Sequence, residues 1–472
     1  MISKRLVEGV DERLDASSFI ARNLKKVFPD HWSFMLGELA LYSFILLILT
    51  GTFLAMFYVA SPEQITYQGP YQPLQGRPVS LAYNSVLHLS FEVRAGLVMR
   101  QTHHWSALVF MAAIVTHMLR VFFTGAFRKP REMSWLLGVS LVVSGIGAGF
   151  TGYSLPDDLL SGVGLRIAYS IAQSIPFVGN WLASVFFGGE FPGTALLPRL
   201  LALHIFIIPL AILGQMSAHL AIVWHQTHTQ FKGPGRTNDT VTGTPVWPKF
   251  ALKSVGLGFV TFGVLTLLGG LFQINPVWFY GPYVPYSGPS PSQPDWYAGW
   301  LEGLLRLWPN WEFTIFGITI GELLLPAIVV PGIMFTLLAT WPFLEARFSG
   351  DRAWHNFAQE PREAPVRSGL GAAAVALMVV LFLAGSNDVL AKYLQIEVDT
   401  FNTVLRWSAF VLPVLAGVFT FMLCRDLRDR PRHPIESPEA MTLRRTDAGG
   451  FEEIHDAEAE AEAGAGDEVR SP

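Results

Sequence analysis

One cysteine in 472 residues, Cys424, leaves no partner for an internal disulfide, no CxxCH segment for a covalent haem and no four-thiolate set for an iron–sulfur cluster. Charge is scarce as well: Asp, Glu, Lys and Arg make up 15% of the chain, against roughly 25% in ordinary soluble domains. The charges that exist cluster between long uncharged runs, and 51% of residues are hydrophobic. This pattern excludes a soluble globular enzyme and a nucleic-acid-binding protein, and it predicts an all-α polytopic membrane protein. Eight runs near 37–59, 99–122, 135–155, 200–224, 253–274, 313–340, 368–387 and 403–424 each supply about the twenty residues that cross a hydrocarbon core.

The first 34 residues mix charges with no early apolar core, which predicts an amphipathic segment on the membrane surface rather than a cleaved signal. A polar linker near 226–250, rich in Gly, Pro and Thr, divides the rest into a four-helix bundle over 35–232 and four further helices over 233–425. The acidic tail, 426–472, reads as disordered. Basic residues concentrate in alternate loops: Arg128, Lys129 and Arg131; Lys232, Arg236 and Lys249; Arg347, Arg352, Arg362 and Arg367; and Arg425, Arg428, Arg430 and Arg432. The positive-inside rule puts those loops and both termini in the cytoplasm. The second and fourth spans therefore run from outside to inside.

Those two spans carry His103 and His117, and His204 and His219. At about 100° per residue, an interval of fourteen falls roughly 40° short of four turns and one of fifteen overshoots by roughly 60°, so each pair shares a helix face. Orientation places His103 and His204 at an outer level and His117 and His219 at an inner level, roughly 21 Å apart. Two facing imidazoles fill both axial positions of a low-spin haem iron and leave none for oxygen or substrate. Two haems, and transmembrane electron transfer, are the expectation. His104 is rotated away from the His117 face and is not expected to be a ligand.

Gly37 and Gly51 on the first span and Gly138 and Gly152 on the third repeat the fourteen-residue interval, which predicts gaps at both haem levels where a macrocycle needs a neighbour without a side chain. Arg100, Arg120 and Arg199 lie three to five residues from a proposed ligand, so they are candidate partners for haem propionates. Pro294-Asp295-Trp296-Tyr297 follows a loop rich in Pro, Gly and Ser; its carboxylate and phenol could receive the proton of a quinol at the outer membrane edge. At the inner edge Glu38, His225, His228 and Lys253 are candidates for binding and protonating a quinone. Glu322 stands alone in the predicted sixth span with no assigned role.

These elements resemble the cytochrome b subunit of quinol:cytochrome c reductases. The motifs that match are Arg100-x-x-His103, His117-x-x-Arg120, Arg199-x4-His204 with His219, the four glycines, GYSLPDD leading into SIPFVG over 152–179, and PDWY at 294–297. The resemblance implies two haem b groups, with the low-potential one on His103 and His204 and the high-potential one on His117 and His219. It implies an outer quinol site bordered by Gly164, Pro294, Asp295, Trp296 and Tyr297, catalytic roles for Asp295 and Tyr297, and an inner quinone site near Glu38, His225 and Lys253.

It also implies a Q-cycle contributing to the proton motive force. The implied partners are a Rieske iron–sulfur subunit and a cytochrome c subunit, in a homodimeric complex that extends to a supercomplex with a terminal oxidase. The chain departs from the family where PDWY has Asp for the usual Glu, where Asp157 and Asp158 are added, and where Ser254 and Trp224 replace an acid and a quinone histidine. The fifteen-residue interval from His204 to His219 and the PDHW segment at 29–32 look most like actinobacterial members, located in the bacterial cell membrane and using menaquinone. A di-haem anchor of another quinone-linked enzyme accounts for the histidines but not for PDWY. A proton-coupled transporter predicts no haem.

Overall fold

A computed structural model describes residues 11–13, 15–29, 31–233, 236–286, 293–430, 442–445 and 451–454. Its eight long apolar helices are Trp32–Ala55, Gly96–Phe123, Glu132–Tyr153, Leu196–Gln226, Val246–Leu271, Leu325–Ser349, Pro365–Gly385 and Val398–Asp429. The first span packs along the second, the third along the fourth, and the fifth covers the first two. In the other half, the seventh span packs against the eighth and against a short helix, Trp296–Leu307. In a bilayer such packing depends on close contact rather than on escape from water. Gly303 shows how close: a Cβ there would run into the Leu381 carbonyl of the seventh span.

The fourth span is not a uniform α-helix. Residues Leu203–Ile207 form a π turn, and Pro209 lies just beyond it at the start of the next α-helical stretch. Proline has no N–H for the ordinary bond back to residue 205, and a π turn accommodates one extra residue within a helix. The insertion falls between His204 and His219, so their fifteen-residue interval acts as fourteen do in the second span.

Two expectations from sequence are corrected. The segment expected to begin the sixth span forms a hairpin, Phe313–Ile315 paired with Ile318–Ile320. Phe316 and Gly317 turn the chain at positive φ (48° and 76°), the two-residue loop that suits twisted strands, between triplets of β-branched and aromatic residues. The span itself starts at Leu325, leaving Glu322 ahead of it. The acidic tail is also not uniformly irregular: Thr442–Arg445 pairs antiparallel with Phe451–Ile454. The remaining tail residues from 431 lie outside the described set, as do residues 1–10 of the N-terminal segment, which contributes the helix Ala16–Leu24.

Candidate metal centres and the outer cavity

The four histidines meet in two pairs. Ring centroids are 6.2 Å apart for His103 and His204 and 6.5 Å for His117 and His219. Two imidazoles bound to one metal from opposite sides should have centroids a little over 6 Å apart, each contributing about 2.0 Å of bond and about 1.1 Å of ring. The outward nitrogens are held in place. Thr50 Oγ1 donates to the Leu46 carbonyl at 2.7 Å and lies 2.9 Å from His103 Nδ1, so the imidazole is the donor between them. His204 Nδ1–H donates to the Ala148 carbonyl at 3.0 Å, and His219 Nδ1–H to the Ser134 carbonyl at 3.1 Å. A proton fixed on Nδ1 leaves Nε2 as the metal-binding nitrogen, the usual outer support of a ligating histidine. His117 Nδ1 is buried with no partner among the described residues.

Among the described residues no group of three or more His, Cys, Asp or Glu could hold a metal ion. Each pair would hold a metal from two facing imidazoles and fits one whose remaining ligands would come from a macrocycle rather than from the protein. Buried cations nearby fit the acidic edge of such a group. Arg100 and Arg120 each have Nε and Nη2 buried without a hydrogen-bond partner among the described residues, which is costly for a cation unless an anion meets it. Arg120 also stacks over the Phe34 ring, 4.1 Å from its centroid. Arg199 is placed differently: it is exposed, and it donates to the Ser184 and Val185 carbonyls at the end of the helix Gly179–Phe187.

Two of the glycines make room for the outer imidazoles. A Cβ at Gly152 would overlap the His204 ring, one at Gly51 would sit 3.1 Å from His103 Cε1, and one at Gly37 would sit 3.5 Å from His117 Cε1. Gly138 has no protein atom within 4 Å of such a Cβ. Gly51 and Gly152 thus clear a ligand ring, a Cβ at Gly37 would meet its ring at ordinary contact distance, and Gly138 faces open space.

Next to the outer pair lies a cavity of about 470 Å³, lined by His103, His204, Arg100, Asp158, Asp295 and Tyr297 among others. Asp295 Oδ2 accepts from the Tyr297 hydroxyl at 2.9 Å, and its Oδ1 lies 2.8 Å from His104 Nε2. Burial, together with the Asp295 carboxylate, raises the Tyr297 phenol well above its ordinary value and keeps it a donor. Gly164 stands behind the cavity wall, where a Cβ would overlap the Tyr153 hydroxyl. Trp296 packs toward Phe382, with ring centroids 6.1 Å apart, and Pro294 precedes the helix.

Asp158 caps the helix Leu159–Gln173 by accepting from Ser161 N at 2.9 Å. Burial pushes its carboxyl, and that of Asp157, up to about 6. From sequence, His104 is set aside as a ligand with no role given to it, and Gly149 is not singled out. Gly149 is where a Cβ would overlap the Tyr297 hydroxyl, and its signal was the glycine density of the third span.

At the inner end, Ser254 Oγ donates to Glu38 Oε2 at 2.6 Å and lies 2.9 Å from the Tyr42 hydroxyl. With the serine proton committed to Glu38, Tyr42 donates to Ser254, forming a relay across the first and fifth spans. Of the two candidate histidines, His225 is exposed. His228 packs on Phe28, with centroids 4.6 Å apart, and burial together with Arg120 and Arg131 lowers it to about 4. Trp224 donates from its indole to Asn23 Oδ1 at 2.7 Å, and Lys26 Nζ donates to the Trp224 carbonyl at 2.6 Å, so the N-terminal segment is tied to this edge.

A family model described as cytochrome b(N-terminal)/b6/petB matches residues 108–282, a stretch that includes His117, His204 and His219 and ends before Asp295. The cytochrome bc1 complex cytochrome b subunit of Mycobacterium leprae is 49% identical over 96% of this chain and 82% of that protein. The chain belongs to the cytochrome b family. Subunits of the same description from Corynebacterium diphtheriae and Streptomyces coelicolor are 46% and 43% identical, each over 96% of this chain and over 85% and 83% of those proteins. The fold agrees with a solved hyperthermophilic respiratory complex III, at TM-score 0.64 and 19% identity, covering 88% of this chain and 99% of that one. As a cytochrome b the chain is a multi-pass membrane subunit of a respiratory oxidoreductase, and it takes haem b.

Proposed function

We propose that this cytochrome b oxidises quinol at its outer cavity and carries an electron inward between two haem b groups, one held by His103 and His204 and the other by His117 and His219. The observation that carries the reading is the matched spacing of the two pairs, 6.2 and 6.5 Å, with Asp295 and Tyr297 on the wall of the same cavity as the outer pair. Bound between two imidazoles, a haem supplies reversible one-electron uptake and no open position for oxygen.

The protein's own residues do the rest. Thr50, Ala148 and Ser134 orient the rings, Gly51 and Gly152 leave room for the outer two, and Arg100 and Arg120 offer charge to propionates. Asp295 takes a proton from the quinol hydroxyl, while Tyr297 steadies the carboxylate by donating to it. At the inner face the Tyr42–Ser254–Glu38 relay supplies a proton to reduced quinone, with His225, His228 and Lys253 at its edge. The two electrons of each quinol diverge, one to a Rieske iron–sulfur subunit and one inward, so that a Q-cycle contributes to the proton motive force.

Menaquinol is the proposed substrate. A cytochrome c subunit, a dimeric complex, a supercomplex with a terminal oxidase and cytoplasmic termini complete the proposal. Pyridine haemochrome analysis of the purified complex is expected to give about two b haems per chain; none, as a proton-coupled transporter would give, overturns it.

A further inference from the structure

His104 follows His103 directly, so it projects about 100° further around the second span. Its ring points away from the ligand pair and toward the helix Trp296–Leu307, which packs against that span. The side chains of His104 and Asp295 are 15% and 7% exposed, and with Tyr297 they line the outer cavity. Asp295 is the N-cap of the helix Trp296–Leu307, yet its side chain makes no cap hydrogen bond. An aspartate at that position ordinarily accepts from the backbone N–H two or three residues on. Here one oxygen accepts from Tyr297 and the other meets His104 Nε2 at 2.8 Å.

We propose that His104 is a positioning residue for quinol oxidation: its Nε2–H draws the Asp295 carboxylate off its own helix and holds it against the cavity. An ionised carboxylate has about four lone-pair directions, so two remain for substrate after both of these bonds form. Without the histidine donor, the backbone N–H groups of the first helical turn compete for the same oxygen. The carboxylate then swings to cap the helix and withdraws from the cavity. The inference rests on the reading of Asp295 as the proton acceptor.

The test uses the purified complex with a water-soluble menaquinol analogue and cytochrome c, comparing His104→Leu, His104→Gln, Asp295→Asn and the double variant H104L/D295N. Glutamine can place an amide N–H where Nε2 stands. Misplacing a reacting group by about 1 Å can cost a hundredfold, so H104L should lose about tenfold or more in kcat with little change in KM. H104Q should recover most of that loss, and the double variant should be no slower than D295N because both changes act through one carboxylate. Reduced-minus-oxidised spectra check that both haems remain, and His104→Phe carries the same expectation where H104L loses haem.

Wild-type kcat in H104L alongside a slow D295N overturns the proposal, as does an H104Q as slow as H104L with haem content intact. Wild-type turnover in D295N would remove the proton-acceptor reading first, and this inference with it.

Discussion

Replacing His219 with leucine is expected to leave a complex with one b haem per cytochrome b chain and no quinol:cytochrome c reductase turnover above background. Leucine fits an apolar helix but offers no lone pair, and His117 alone cannot supply both axial ligands. The outer pair should be untouched. It lies roughly 21 Å away along the membrane normal, and its rings are held by Thr50 and Ala148, whereas the His219 ring is held by Ser134. Distant sites without shared partners behave independently, so the outer haem should keep its spectrum. Pyridine haemochrome and low-temperature difference spectra read both results, and loss of both haems or of neither would count against separate centres.

Replacing Asp295 with asparagine should lower quinol oxidation by about a hundredfold or more, within the 10²–10⁴ that a positioned proton acceptor contributes. The substitution keeps size and shape, and the amide oxygen can still accept from Tyr297, but it cannot take a proton from a quinol. A fall in kcat with KM nearly constant and both haems present separates this effect from lost binding. Quinol oxidation unchanged across pH would remove Asp295 as a required acceptor.

Much of the site was legible in the sequence because its chemistry is written in residues that are costly inside a membrane. Histidines, arginines and a lone PDWY stand out against apolar runs, and helical periodicity alone aligns His103 with His117. Features that depend on backbone exceptions were not legible. The π turn at Leu203–Ile207, which makes fifteen residues act as fourteen, shows in the sequence only as Pro209. The hairpin at 313–320 is apolar enough to pass for the start of a span, although its β-branched alternation around Phe316–Gly317 was the competing signal.

Contacts between distant segments were the least visible. His104 lies 191 residues from Asp295, and Ser254 lies 216 from Glu38. No local pattern announces either pair. At the inner edge the loss of the family's acid at Ser254 looked like a missing group, whereas the serine forms a direct hydrogen bond to Glu38. The glycines were legible as spacing, but the tight approach of the His103 and His204 rings to Gly51 and Gly152 was not.

The central claim is that two electrically distinct centres lie at two depths, the inner one able to draw electrons against an inside-negative potential. Moving an electron inward over roughly 21 of about 30 Å costs about 1.6 kcal/mol per 100 mV of membrane potential, so the inner haem must have the higher potential. A potentiometric titration of the b-band absorbance in the purified complex tests this directly. Two one-electron steps of equal amplitude are expected, with the higher-potential step absent in His219→Leu. A single step in the wild-type complex, or loss of the lower-potential step in that variant, would contradict the assignment.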